Sequence, residues 1–261
     1  MLEEYLVFAK DIAYKAKEIM LNYFNKDMTS SYKLDNTIVT NVDIEINKYL
    51  IEKVKEVYPD HSVIGEEESY GNSNIAWICD PVDGTAMYAR SIPVSVFSLA
   101  LVIDGNPVLG VVYDPFLDEM YSAIEGNGAY LNDNKISVND YKLEDKRTVC
   151  HYDMWPDAPY NIYDIVKELG EKAYFISIGS IIRASMEVAK GNFSLALFPG
   201  RDNKRYDLAA LKIIVKEAGG IATSLFGIDE RLDREINGAI ICNKVIYEEV
   251  QQVVNKYLKW R

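Results

Sequence analysis

The chain has 261 residues, with 40 Asp and Glu against 28 Lys and Arg, a formal net charge of -12 and 49% hydrophobic residues. That apolar share can fill a core and excludes a disordered chain, and the length fits one large domain or two lobes sharing an interface. The acidity argues against a nucleic-acid binder, which needs a basic face, and leaves open a cationic partner such as a divalent metal ion. Three cysteines, Cys79, Cys150 and Cys242, lack C-x-x-C spacing and read as buried free thiols in a reducing cytoplasm. No run approaches the roughly 20 apolar residues of a membrane helix. The opening Met1-Leu2-Glu3-Glu4-Tyr5 is not that of a signal peptide. A soluble, cytoplasmic protein with no membrane partner is expected.

Leu2, Leu6, Ala9, Ala13, Ala16 and Met20 fall at helical spacing and predict an amphipathic helix from Leu2 to Phe24. The polar, aperiodic stretch from Asn25 to Asn36, which carries Lys26 and Lys33, reads as a loop. A second helix is expected from about Asp43 to Val57, with Asp43 and Glu45 in the first turn, where the helix dipole favours anions. Between Ser62 and Asn139 short β-rich runs alternate with turns. Ala76-Trp77-Ile78-Cys79 ends in Asp80, and the runs Val94 to Ile103 and Val108 to Tyr113 flank the hairpin turn Asp104-Gly105-Asn106. Met120 to Ile124 and Ala129 to Leu131 flank a second turn, Glu125-Gly126-Asn127-Gly128.

From about Lys142 strands and helices alternate. Strands are expected at Tyr174 to Ile178, Phe193 to Phe198 and Ala239 to Cys242. Helices are expected at Ser180 to Lys190, Tyr206 to Ala218 and Val245 to Leu258. The charged stretch Asp140 to Arg147 is the expected boundary between an N-terminal α+β lobe over 1–141 and a C-terminal α/β lobe over 142–261.

Three segments can carry chemistry: Ile64-Gly65-Glu66-Glu67-Glu68-Ser69, Trp77-Ile78-Cys79-Asp80-Pro81-Val82-Asp83-Gly84-Thr85, and Arg205-Tyr206-Asp207-Leu208-Ala209-Ala210. Singly, each has a plain explanation as an acidic turn, a capped turn or an N-terminal helix carboxylate. The middle segment is harder to dismiss. A buried strand delivers Asp80, Pro81 stiffens the turn, and Asp83 follows, and two acids held so close repel unless a cation lies between them. Gly84 permits close backbone approach, and the amides after it open a helical turn that can receive an anion. Carboxylates for Mg²⁺ beside amides for phosphate imply metal-assisted phosphoryl chemistry.

Glu66-Glu67, Asp80-Pro81-Val82-Asp83-Gly84-Thr85 and Tyr206-Asp207-Leu208-Ala209-Ala210, with Glu217-Ala218-Gly219-Gly220, together resemble the inositol monophosphatase family of Mg²⁺-dependent, lithium-sensitive phosphatases. The resemblance runs in order along essentially the whole chain, including Gly179-Ser180 in the second lobe. It implies the sugar-phosphatase fold, a mixed α+β and α/β architecture layered as an α-β-α-β-α sandwich, and a homodimer. It also implies that Glu66, Asp80 and the Val82 carbonyl hold an activating Mg²⁺. Asp80, Asp83 and Asp207 would hold a second ion, and Glu66 a weaker third; Mn²⁺ would substitute. Thr85 paired with Asp43, or Glu67, would orient and deprotonate the attacking water. The amides of Gly84 and Thr85, with Gly179 and Ser180, would face the substrate, and the stretch from Asn25 to Asn36 would act as a lid over the weakest metal.

A haloacid-dehalogenase-type phosphatase uses D-x-D-G-T with a covalent aspartyl nucleophile. Here Asp80 and Asp83 are separated by two residues, one too many, and lie a third of the way along the chain. No Walker loop or G-x-S-x-G is present, and His61 and His151 are too far apart to suggest a zinc site. Met87, Tyr88 and Tyr206 depart from the pattern of animal inositol monophosphatases and weaken strict inositol specificity. The basic run Pro199-Gly200-Arg201-Asp202-Asn203-Lys204-Arg205 suits a second phosphate, so Arg201, Lys204 and Arg205 are expected to bind substrate. The expected activity is that of the dual type seen in archaea, acting on fructose 1,6-bisphosphate and myo-inositol monophosphate by in-line attack of an activated water. The alternatives are a phosphatase for 3′-phosphoadenosine 5′-phosphate or NADP, and a non-catalytic metal-binding or interaction protein.

Overall fold

The amphipathic pattern at the N-terminus forms α1 (Leu2–Tyr23), whose buried stripe is Ala9, Ile12, Ala13, Ala16, Ile19 and Met20. The computed structural model describes residues 2–26, 28–33, 37–155, 158–200, 205–229, 231–233, 236 and 238–259. Within the stretch expected to be a loop, β1 (Ser30–Tyr32) pairs antiparallel with β2 (Ile38–Thr40), Ser31 opposite Val39. Three-residue strands are too short to show periodicity, and Ile38-Val39-Thr40 supplies the β-branched side chains for this hairpin. Helix α2 (Asn41–Val57) starts two residues before Asp43 because Thr40 is its N-cap and Asp43 closes a capping box on it.

Eight strands follow: β3 (Ser62–Gly65), β4 (Ser69–Tyr70), β5 (Ile75–Asp83), β6 (Val96–Ile103), β7 (Asn106–Asp114), β8 (Glu119–Ile124), β9 (Gly128–Leu131) and β10 (Asn134–Ile136), with the single turn α3 (Thr85–Tyr88) after β5. They make one sheet in the order β10-β9-β8-β7-β6-β5-β3-β4. Only the β3–β5 pairing in it is parallel. Asp104 and Gly105, at φ 49° and 77°, make the two-residue turn between β6 and β7. Glu217 accepts from the amides of Gly126 (2.8 Å) and Gly128 (2.6 Å), tying the β8–β9 turn to the far end of a helix.

The second sheet, β12-β11-β13-β15-β14, is built from β11 (Val149–Tyr152), β12 (Tyr174–Ile176), β13 (Leu195–Phe198), β14 (Ile221–Thr223) and β15 (Ala239–Cys242). Its helices are α4 (Tyr163–Leu169), α5 (Ile181–Ala189), α6 (Arg205–Glu217) and α7 (Tyr247–Tyr257).

Burial defines five layers. Trp77, Cys79, Leu99 and Leu101 of the large sheet pack under α1 and α2. Ile78, Ala100, Val112 and Ala123, on its opposite face, pack against α5 and α6, which meet Ala196, Phe198 and Ile241 of the small sheet on their other side. Cys150, Leu195, Leu197 and Ile240 pack against α4 and α7. This is the expected α-β-α-β-α sandwich. All three cysteines are free and buried, and burial raises each thiol, Cys150 to about 12. Among the described residues no helix is long and apolar enough to cross a membrane.

The middle helices are fastened to the large sheet by charge and by close packing. Arg183 of α5 pairs with the buried Asp114 at the end of β7 and, at 3.2 Å, with Glu187. Lys190 reaches Glu119 of β8 at 2.9 Å. Helix α6 lies on β7 at Gly110, where an added Cβ would stand 2.7 Å from Ile213 Cγ2 and 2.9 Å from the Ala210 carbonyl. Gly110→Ala should therefore cost about 1–3 kcal/mol by overpacking, read as a lowered urea midpoint at unchanged slope. The same shift of α6 should reduce turnover, because α6 carries Asp207.

Candidate active site

Strand β5 is buried along nearly its whole length, so its side chains alternate between two helical layers. Ile78 faces α5 and α6, and Asp80, two residues on, shares that face. Three residues further, Asp83 would face the other way in a regular strand. Asp80 pairs with Ser98 and Asp83 with Val96, so β5 spends three steps where β6 spends two, and the extra residue is a β-bulge. The bulge contains Pro81, which has no N–H to lose from the ladder. Asp83 is thereby turned to the same side as Asp80, and Asp207, in the first turn of α6, meets them from the next layer. One carboxylate oxygen from each of these three buried residues lies within 4.8 Å of the other two. Three buried anions at that spacing repel strongly, and an oxygen-only donor set suits a hard divalent cation.

Each acid is held on a second side. The Val82 amide donates to Asp80 Oδ1 at 3.0 Å. Ser180 Oγ (2.5 Å) and the Ile182 amide (2.8 Å), at the N-terminus of α5, both donate to Asp83 Oδ2. Ser180, expected to face substrate, thus orients a carboxylate. Gly84 adopts φ +83° and lies so close to the segment before α5 that a Cβ would stand 3.0 Å from the Gly179 carbonyl.

The turn carrying Glu66 and Glu67 is clamped from α2. Asn47, one helical turn beyond Asp43, donates to the Glu68 carbonyl at 2.9 Å and accepts from the amides of Glu67 and Glu68, each at 3.4 Å. A Cβ on Gly65 would stand 2.0 Å from the Asn47 Oδ1 atom, which makes glycine obligatory there. Lys33, beyond β1, places its ammonium 3.1 Å from Glu66 Oε1 and 2.5 Å from Glu67 Oε1. Burial pulls against its charge, yet the two carboxylates win and raise its pKa.

Asp43 is fully buried; burial pushes its carboxyl up to about 7 against the stabilising hydrogen bonds from the Thr40 hydroxyl and amide. Thr85 Oγ1 donates to the Val82 carbonyl at 2.8 Å and stands 3.4 Å from Asp43 Oδ1. A hydroxyl has one proton, so the shorter bond holds it, and a small rotation hands it to Asp43.

A cavity of about 310 Å³ opens over these residues, lined by Glu66, Asp80, Val82, Asp83, Gly84, Thr85 and Gly179, and by Thr37, Ile38, Asp153, Met154 and Trp155 among others. Asn47, Lys33, Asp153 and Trp155 were not among the residues expected from sequence. Their signals are weak: a lone Asn one turn after an acid, a lone Lys in a polar stretch, and the end of a strand too short to predict. Arg201 and Lys204 lie outside the described residues. Arg205 is not brought into this cavity. Its guanidinium donates to the Leu232 carbonyl at 3.5 Å and lines a separate cleft with Asn72, Arg231 and Asp233, because α6 points Asp207 and Arg205 to different sides.

The sequence profile of the inositol monophosphatase family matches residues 1–259. The chain belongs to the inositol monophosphatase family. It is 30% identical to a fructose-1,6-bisphosphatase/inositol-1-monophosphatase of Aquifex aeolicus, over 99% of this chain and 98% of that one. An inositol monophosphatase of Thermotoga maritima superposes with a TM-score of 0.87 at 27% identity, covering 97% of this chain and 98% of the other. A solved IMPase/NADP phosphatase in complex with Mg²⁺ and phosphate matches with a TM-score of 0.81 at 27% identity, covering 99% and 97%. Members of the family are Mg²⁺-dependent phosphoric monoester hydrolases, and the buried acidic cluster fits that dependence.

Asp43 gives a pH-dependent stability with a definite sign. Its folded pKa lies above that of an exposed carboxyl, so the folded chain holds a proton that the unfolded chain has released between about pH 4 and 7. That contribution is complete below the unfolded pKa and is lost as pH rises through about 7. In metal-free protein, Asp43→Asn should raise the melting temperature relative to wild type at pH 8, and the gain should shrink toward pH 5.

Proposed function

We propose that this chain hydrolyses sugar and inositol phosphates, with fructose 1,6-bisphosphate and myo-inositol monophosphate as substrates, at a site held by Glu66, Asp80, the Val82 carbonyl, Asp83 and Asp207. The observation that carries this reading is the bulge in β5, which turns Asp80 and Asp83 to one side, toward Asp207. Two to three Mg²⁺ ions, or Mn²⁺ in their place, would supply positive charge for the attacking and leaving oxygens and acidify water at the site. Asp43 serves as base through Thr85: Oγ1 takes a proton from the attacking water while its own passes to Asp43 Oδ1. Glu67, anchored by Lys33, offers a second proton acceptor. The amides of Gly84 and Thr85 receive phosphate oxygens from one wall, and Gly179 closes the other.

The bisphosphate part of the reading rests on the basic run that includes Arg201 and Lys204. Two lobes, 1–141 and 142–261, a homodimer and a cytoplasmic location belong to the same proposal; three buried reduced thiols suit that compartment. A second reading has one observation in its favour. A cleft of about 220 Å³ beside the site, lined by Met154, Trp155, Tyr160, Asn161 and Tyr163, has the aromatic walls that a nucleobase stacks on. It favours 3′-phosphoadenosine 5′-phosphate or NADP.

The test is Mg²⁺-dependent phosphate release from fructose 1,6-bisphosphate, myo-inositol 1-phosphate, 3′-phosphoadenosine 5′-phosphate and NADP. Release from the first two should exceed that from the nucleotides, and Asp80→Asn or EDTA should bring it to background. Preference for the nucleotides would install the second reading, and no release from any ester would return the non-catalytic one.

A further inference from the structure

One wall of the active-site cavity carries a carboxylate that the proposed metal chemistry leaves unused. Glu66, Asp80 and Asp83 of the lining belong to the metal set, whereas Asp153 enters from the end of β11 in the small sheet. An extra negative charge in a pocket built to receive phosphate works against the substrate's own charge. Its presence calls for a compensating contact that a neutral side chain would not provide as well.

Asp153 is held through one carboxylate oxygen and through its backbone amide. Ser177 Oγ donates to Oδ1 at 2.7 Å, and the Asp153 amide donates to the Leu197 carbonyl at 3.1 Å. His151, two residues back on the same side of β11, is fully buried, and its Nε2 stands 3.1 Å from Asp153 Oδ2. Neither ring nitrogen has an aligned hydrogen-bond partner among the described residues. A buried imidazole with nothing else to bond is an expensive neighbour unless the carboxylate it faces has to stay in place. An ionised carboxylate only accepts, and each oxygen has lone pairs beyond the one contact named here. What it can bind from the cavity is an O–H donor.

We propose that Asp153 reads a hydroxyl of the substrate's polyol, with Ser177 and His151 as positioning residues that fix the plane of its carboxylate. The pocket then prefers a polyol monophosphate to a phosphate ester without hydroxyls. This inference rests on the phosphatase reading and adds to it a specificity-determining residue, Asp153, and the two side chains that position it.

The experiment compares myo-inositol 1-phosphate with p-nitrophenyl phosphate on the full-length protein with Mg²⁺. Asp153→Ala should raise KM for the inositol ester about tenfold to a hundredfold, the range for a hydrogen bond to a charged group, with kcat changed little. KM and kcat for p-nitrophenyl phosphate should stay within about twofold, which also shows that the variant is folded and its metal site intact. Ser177 is exposed, so Ser177→Ala should fold and show the same selective rise on a smaller scale. His151→Leu should behave likewise, and His151→Gln, which restores an N–H, should recover part of the loss. Equal KM changes on both esters, or none on the inositol ester, would overturn the proposal. If wild type releases phosphate from neither ester, the phosphatase reading fails instead, and calorimetric titration with myo-inositol decides the polyol reading. Binding lost in Asp153→Ala keeps it; equal or absent binding in both proteins overturns it.

Discussion

The site depends on mutual repulsion between Asp80, Asp83 and Asp207, and on the one extra residue in β5 that brings the first two to the same side. Strand geometry alone would separate Asp80 from Asp83 across the sheet. The bulge between Asp80 and Asp83 cancels that alternation. The resulting cluster is unfavourable by itself, so the surrounding fold has to hold it together. Asp80 is tied to the Val82 amide within its own turn, and Asp83 to Ser180 and Ile182 at the N-terminus of α5, where the helix dipole favours a carboxylate. Asp207 gains the same advantage at the N-terminus of α6.

Because the acids come from different layers, the site exists only where the layers meet. Helices α5 and α6 bury side chains against both sheets, and the Asp114–Arg183–Glu187 pairs and the Gly110 seat set their position on the large one. A buried ion network of this kind contributes little net stability compared with apolar packing, but it penalises alternative registers. That penalty matters here. A shift of α6 by one turn, about 5 Å, would move Asp207 out of the cluster altogether.

The sequence was most legible where one pattern runs long or several motifs agree. The period of α1, the hairpin at Asp104-Gly105 and the three acidic motifs in order pointed to the layered fold and to Asp80, Asp83 and Asp207, which the fold brings together. It was least legible where structure comes from pairing of short pieces. The β1–β2 hairpin has three residues a side, and β11 has four, too few to show alternation. Since β11 delivers Asp153 and the hairpin delivers Lys33, both residues were hidden with their strands. Asn47 was hidden for another reason: its work is done by an amide on a turn 20 residues away, and a polar residue on a helix announces no such partner. Arg205 shows the converse, since it lines a separate cleft. Proximity in sequence to Asp207 placed it at the substrate, whereas positions two apart on a helix point about 200° apart.

An acidic protein that takes an anionic substrate has to reverse its charge locally. On the proposed ligand set, two divalent ions balance the four carboxylates of Glu66, Asp80, Asp83 and Asp207, and they leave Lys33 and Asp153 as the charges that differentiate the pocket. Lys33 sits on the Glu66–Glu67 side, paired with both carboxylates. Asp153 sits on the small-sheet wall, where a second phosphate would meet repulsion and a hydroxyl would find an acceptor. A bisphosphate would then have to direct its distal phosphate away from Asp153. On the proposed reading, one cavity would take both substrate types by receiving the reacting phosphate at the acids and sorting the remainder of the molecule by charge.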